Sequence, residues 1–324
     1  MRIGWLAGLV IAASLAAASG DARAQLPVKG PTRILVGFAA GGTTDVVARL
    51  IADHIKGAVG QPIVVENRAG AGGRIAAEAL KGAAPDGSTL LLAPMVVPVL
   101  APLVFKQLNY DPAKDLAPVA HVANFQLGFA VSADHPARSV PEFVAWAKSG
   151  PARASFGTPA SGSQAHFFGV LVGQTTGIDM VHVPYKGIAP LAIDLAGGQI
   201  PAGISALSDL TELHRAGRLR IIATSGARRS PLLPAVPTFR EQGFPAIEGT
   251  GWIAFYAPAG TPKAVIDQWS ALIVKTVQAV ELRERLIHLG LEPTGTTPEE
   301  LAAIMAADTA RWRPIIKASG FSPD

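Results

Sequence analysis

One pattern, written twice in succession near the start of the chain, limits the fold more than any other feature. Residues 33–38 form a short apolar run, Ala39-Ala40-Gly41-Gly42-Thr43-Thr44-Asp45 is a glycine-bearing turn, and Val46, Val47, Leu50, Ile51 and Ile55 then recur at helical spacing until Gly60. Residues 63–66 repeat the apolar run, Gly70-Ala71-Gly72-Gly73 repeats the turn, and a second helical stretch reaches about Gly82 before a third run at 89–93. This alternation predicts a parallel sheet, because each helix carries the chain back so that successive strands point the same way.

A second series starts with an apolar run at 127–131. Ser139-Val140-Pro141-Glu142 follows, its Ser and Glu spaced as a capping box that opens a helix. Strands are predicted at 154–157, 180–183, 202–205 and 220–224, with helices from about Ser163, Pro190 and Leu207 between them, and these make a second sheet. Beyond the proline-rich stretch 231–237, residues 252–256 read as a strand and three helical patterns finish the chain. The last opens at Thr297-Pro298-Glu299-Glu300, a capping box with proline at the first helical position. Two series in a chain of 324 residues match two domains, since a single core stops growing near this length.

The first residues set the compartment. Arg2 gives a short positive start, residues 3–18 are almost wholly apolar, and Ala22-Arg23-Ala24 has the small-x-small form of an export cleavage site, so residues 1–24 read as a signal peptide cut after Ala24. With no cysteine, the chain has no disulfide, thiolate nucleophile, cysteine zinc site or lipid-anchored cysteine in its oxidising destination. The formal charge of +4 is mild, and the basic residues are dispersed apart from Arg228-Arg229, which argues against a nucleic-acid partner. A weak positive field suits small anions.

In open α/β sheets ligands lie beyond the carboxyl ends of the strands, so the turns after the strands are the places to search. Gly41 and Gly42 let backbone amides approach a ligand at the start of a helix, whose dipole favours a carboxylate by roughly 0.3–1 kcal/mol. Asp45, an acid in the first helical turn, fits a helix cap as well as a ligand contact. The turn Gly70-Ala71-Gly72-Gly73 fails the dinucleotide fingerprint because Ile75 stands where glycine or alanine is needed; close packing of helix on strand is its expected role. The turn Gly157-Thr158-Pro159-Ala160-Ser161-Gly162-Ser163-Gln164 reads as a polar binding lip. A hydrolase using Ser161 or Ser163 with His166 is the competing class, but neither serine has the Gly-x-Ser-x-Gly frame, so no catalytic residue is expected. His121, His135, His166 and His182 lack metal-ligand spacing, and neither a metal nor a cofactor is expected.

Several blocks resemble one family. They are Gly41-Gly42-Thr43-Thr44-Asp45 with Ala48-Arg49, Val65-Glu66-Asn67-Arg68 with Gly70-Ala71-Gly72-Gly73, Pro85-Asp86-Gly87 and Tyr110-Asp111-Pro112. Ser161-Gly162-Ser163 with His166, Val181-His182-Val183-Pro184-Tyr185-Lys186-Gly187, Gly197-Gly198-Gln199 and Ala257-Pro258-Ala259-Gly260-Thr261-Pro262 continue the series. In this order the chain resembles the Bug family, the substrate-binding proteins of tripartite tricarboxylate transporters.

The resemblance implies an α/β, two-lobed periplasmic binding protein of the Venus-flytrap, type II kind, each lobe a mostly parallel sheet flanked by helices. Residues 25–124 and 250–324 would form one lobe and 125–249 the other, with crossings near Asn124 and Gly249. It implies a monomer that holds a small carboxylate and passes it to integral-membrane transporter subunits or, alternatively, reports it to a sensor kinase. The implied ligand shell is Phe38, Ala40, Gly41, Gly42, Thr43, Thr44 and Asp45 from the first lobe and Thr158, Ala160, Ser161, Gly162, Ser163 and Gln164 from the second, with Met95, Tyr185 and Ser205 at the rim. Two departures bear on the ligand. Pro201 and Ser205 stand where the family often has acids, and Met95-Val96-Val97 replaces a more polar turn. Both point to a monocarboxylate with an apolar or aromatic body.

Overall fold

The computed structural model describes residues 30–150 and 153–323; the leader and its cleavage point after Ala24 lie outside the described residues. The first sheet takes β1 (Thr32–Val36), β2 (Ile63–Asn67), β3 (Thr89–Pro94) and β4 (Leu116–Phe125). At Gln126 the chain passes into a second sheet of β5 (Leu127–Ser132), β6 (Ser155–Thr158), β7 (Val181–Pro184), β8 (Ala202–Ala206) and β9 (Leu219–Thr224). It then returns to the first sheet as β10 (Gly251–Pro258) and β11 (Leu291–Pro293). The spatial orders are β11-β4-β10-β3-β1-β2 and β7-β6-β8-β5-β9.

The helix-linked strands pair in parallel: β1 lies between β2 and β3, and β6 lies between β7 and β8. Each sheet also holds a reversed strand in its middle, and the edge strand β11 of the first sheet is reversed as well, antiparallel to β4. β10 runs antiparallel between β3 and β4, and β5 runs antiparallel between β8 and β9. Both are the first strands made after the chain changes sheets, so both enter from the opposite direction without a helical crossover.

Burial explains the layers. Ile34, Val36, Leu90 and Leu92 face Val47, Ile51 and Ile55 of helix Thr43–Val59 together with Trp269 and Ile273, whereas Leu35, Leu91 and Ala93 face Ala76, Ala77 and Leu80 of helix Arg74–Lys81. The period of two thus divides a continuous apolar run between two covered faces, as expected where helices pack on both sides of parallel strands. Each such side chain contributes roughly 1.5–3 kcal/mol on burial. The layer around Leu91 continues through Phe129, Phe156 and Phe167 into the second sheet, so one core underlies both.

Local signals place the helix ends. Gly60 closes helix Thr43–Val59 at φ 69°, a left-handed conformation that costs other residues a Cβ clash. Helix Pro298–Ala318 starts from a reciprocal box between Thr297 and Glu300. At helix Val140–Lys148 only half of the expected box forms: Ser139 Oγ accepts from Glu142 N, but the Glu142 carboxylate accepts from Arg138 N, one residue earlier than the reciprocal bond requires.

Hydrogen bonds tie the two passages between the sheets to each other. Ser225 Oγ accepts from Leu127 N at 2.8 Å and donates to Gly249 O at 3.0 Å, and Gln126 Nε2 donates to Glu292 Oε1 and Arg228 O. Among the described residues no helix is long and apolar enough to cross a membrane.

Candidate functional site

A cleft of about 790 Å³ opens between the sheets at the carboxyl ends of their strands, within the range of about 300–1,000 Å³ usual for small-molecule sites. Phe38 reaches it after β1, Ala71, Gly72 and Arg74 after β2, and Met95 and Val96 after β3. From the second sheet come residues 159–165 after β6 and Ser205 with Ala206 at the end of β8. Phe125 and Leu127 form the floor where the chain crosses, while Phe105 and Phe321 close the sides. Most of these side chains are carbon, and Arg74 is the one charged residue among the described lining.

Eight of the sequence-expected residues share this wall: Phe38, Met95, Ala160, Ser161, Gly162, Ser163, Gln164 and Ser205. Ala40, Gly41, Gly42, Thr43, Thr44, Asp45, Thr158 and Tyr185 do not line it. The reason is clearest at Asp45. Its carboxylate, 2% exposed, accepts from Gly41 N at 2.8 Å, from Asn67 Nδ2 at 2.8 Å and from Arg49 Nε at 3.0 Å. Burial works against the charge, but the bonds from Arg49, Gly41 and Asn67 outweigh it and hold the carboxyl down at about 2. The first turn is therefore furnished with an anion from its own chain. Thr158 is fully buried, donates to Ala160 O and lies 2.7 Å from His182 Nε2, while Tyr185 donates its hydroxyl to Asp194. Both brace the lip from beneath.

The lip itself is built around a helix start. Ser163, the N-cap of helix Gln164–Thr176, accepts from His166 N and donates its hydroxyl to Ala160 O. Gly162, at φ 67°, turns its N–H onto His166 Nδ1 at 3.1 Å. Gln164 N–H and Ala165 N–H, the first two helical amides, precede any intrahelical acceptor and have no other acceptor among the described residues.

His166 stacks on His182 with ring centroids 3.7 Å apart. Burial pushes both down to about 4, with the neighbouring His166 adding to the fall at His182, so both rings are neutral near neutral pH. His166 Nδ1 is engaged by a backbone amide and Ser163 Oγ by Ala160 O, so the serine–histidine pairing that the competing hydrolase reading needs is absent among the described residues. At the far rim Ser205 Oγ donates to Asp209 Oδ2 at 2.5 Å, which leaves the lone pairs of the hydroxyl for the cleft. Burial raises the Asp209 carboxyl, and the Ser205 bond opposes that rise. The acid absent at Ser205 thus stands one helical turn behind it.

Sequence reasoning missed Ala71, Gly72, Arg74, Phe105, Phe125, Leu127 and the C-terminal Phe321. For Ala71 and Gly72 the signal was present, since their turn also follows a strand. The packing expected of this turn is present, and the turn also lines the cleft. A Cβ on Gly37 would meet Gly73 Cα at 2.5 Å, so the backbones of the two turns touch, while Ala71 (φ 48°) and Gly72 (φ 66°) face the cleft in left-handed conformations. Phe321 had no local signal; it meets the His166 ring edge-on at 5.0 Å after a long return.

Comparison with known proteins follows this geometry. A model of the tripartite tricarboxylate transporter family receptor matches residues 47–321. BugT of Bordetella pertussis is 34% identical over 291 residues, covering 90% of this chain and 89% of that protein. A Rhodopseudomonas palustris protein solved with adipate superposes at a TM-score of 0.79 with 33% identity, covering 91% of this chain and 99% of the other. MatC from Rhodopseudomonas palustris, solved with bound malate, gives 0.74 and 30%, covering 88% and 99%. With the two-sheet fold and the cleft in place, the chain belongs to the tripartite tricarboxylate transporter receptor family and is a periplasmic solute-binding protein, not an enzyme.

Proposed function

We propose that this receptor captures a small carboxylate with an apolar body in the cleft between its sheets and hands it to the membrane subunits of a tripartite-type transporter. One observation carries the reading: the uncommitted N–H groups of Gln164 and Ala165 stand at a helix start in a largely carbon-lined cavity. A carboxylate there gains the helix dipole, about 0.3–1 kcal/mol, and short charge-assisted hydrogen bonds. The solved relatives hold malate and adipate, both carboxylates.

In this reading Phe38, Met95, Ala160, Ser161, Gly162, Ser163, Gln164 and Ser205 contact the ligand, with Ala71 and Gly72 added from the second turn. Asp45 organises the neighbouring turn, and Thr158 and Tyr185 support the lip. A ligand that touches both walls favours the arrangement in which both are close, and that difference in contact is what a membrane partner would recognise.

Ala165→Pro tests the helix start, because proline removes the N–H at a position where a helix tolerates it. Calorimetry on the mature protein, using acids identified by native mass spectrometry as co-purifying, should show an affinity loss of about tenfold or more with melting little changed. Undiminished affinity would count against the lip as the carboxylate site.

A further inference from the structure

We propose that Arg74, with Lys106 and Gln107 beyond it, forms a second anion subsite, which receives the far end of a ligand whose first carboxylate rests on the Gln164–Ala165 helix start. The inference rests on the carboxylate-receptor reading and adds the charge at the other end of the solute.

Arg74 lines the main cleft and also borders an adjoining pocket of about 560 Å³ that it shares with Phe105, Lys106, Gln107 and Pro323. The side chain is already oriented. Its Nε donates to Ala71 O at 2.7 Å, and its Cζ lies 3.7 Å from the centroid of the Phe105 ring. These two contacts set the plane of the guanidinium while its terminal nitrogens meet no carboxylate among the described residues. Glu78, one helical turn further on, accepts from Asn109 Nδ2 instead. Lys106 is likewise without an ion pair among the described residues. Three other arginines around this sheet differ: Arg33 and Arg68 both reach Glu66, and Arg49 reaches Asp45.

A planar, oriented guanidinium with no counter-charge among the described residues suits a carboxylate bound through two parallel N–H bonds. Between it and the helix start the cleft offers Met95, Phe125 and Phe105, which favour a carbon chain. The fitting ligand is a linear molecule with an anion at each end and apolar carbons between. Residues 95–97 and Ser205, taken alone, point to a single carboxylate; Arg74 supplies a partner for a second.

The experiment is calorimetry on the mature protein with two series of straight-chain acids, succinate to suberate and butyrate to octanoate, so that each pair differs only at the far end. Wild type should prefer its best dicarboxylate over the matching monocarboxylate by about tenfold or more. Arg74→Gln should remove most of that preference while changing monocarboxylate affinity by less than about threefold, with Arg74→Lys between the two. Lys106→Gln, at an exposed position where folding is not at issue, should reduce the preference by about twofold. An unchanged preference in Arg74→Gln overturns the subsite, as does an equal loss for both series, which would make Arg74 the sole anion anchor. Wild type binding only monocarboxylates refutes the subsite and leaves the receptor reading standing. Binding of neither series refutes both.

Discussion

Two glycine-bearing turns follow neighbouring strands, touch each other, and do different things. The turn at residues 39–45 opens a helix of 17 residues with an acid in its first turn, and that acid, Asp45, accepts from Gly41, Asn67 and Arg49. The turn at residues 70–74 opens a shorter helix with no acid in its first turn, and there Ala71, Gly72 and Arg74 face the cleft. Similar glycine content therefore serves different ends. What separates them is whether the turn carries a carboxylate of its own.

The contact between the turns is the strongest place to break this comparison. Gly37→Ala puts a Cβ where Gly73 Cα stands, at 2.5 Å, and neither backbone has a rotamer with which to yield. The variant should lose about 3 kcal/mol, at the upper end of overpacking costs, and should lose ligand binding because residues 71–74 are displaced. Urea denaturation and calorimetry on the same preparation check both. Retention of either stability or binding would show that the turns are mechanically independent.

Asp45→Asn comes next. It replaces one accepting carboxylate oxygen with an NH2 that cannot accept and strands Arg49, which is half exposed and so tempers the effect to about 2 kcal/mol of stability. Because its carboxyl is held at about 2 against an ordinary 3.8, the wild-type contribution is complete above the ordinary value. It fades as pH falls from near 4 toward 2, so wild type and variant should converge in acid. Ligand affinity should change less than about threefold, since the group is off the cleft wall. A large affinity loss with stability intact would return Asp45 to the ligand.

Much of this fold could be read from the residues, and the part that could not has physical causes. Helix spacing and glycine stops located the helices from Thr43 and Arg74 because those signals are local. The strand expected to run to Phe38 ends at Val36, since Gly37 must bend past Gly73 and Phe38 swings into the cleft. The reversed directions of β5 and β10 were hidden because every residue of Leu127–Ser132 and Gly251–Pro258 is buried, and a wholly apolar run reads the same in either direction. No local pattern singles out Arg74; only the fold brings Phe105 beneath it. Ser205 looked like a lost acid until the helix after it returned Asp209 to the hydroxyl.

Substitutions at Gly72 and Gly42 sharpen the comparison at equal chemistry. Gly72 has φ 66° and open space where a Cβ would go, so Gly72→Val costs about 1–2 kcal/mol of backbone strain and projects a branched side chain toward the ligand. Carboxylate affinity should fall about tenfold or more, a further 1.4 kcal/mol measured by calorimetry. Full affinity would mean that the second turn only borders the cleft.

Gly42→Val should do the least. Gly42 sits at φ −73° and ψ 162°, extended backbone open to a branched residue, and an added Cβ would meet only Ala39 O at 3.3 Å. It makes no side-chain cap, so replacement forfeits the modest preference for glycine over valine before a helix, about 0.5–1 kcal/mol. Because its turn already holds the Asp45 carboxylate, affinity should stay within about twofold of wild type. A variant with normal melting and no binding would place the solute on the first turn after all, and the distinction between a turn that carries its own carboxylate and one that does not would then fail for this protein.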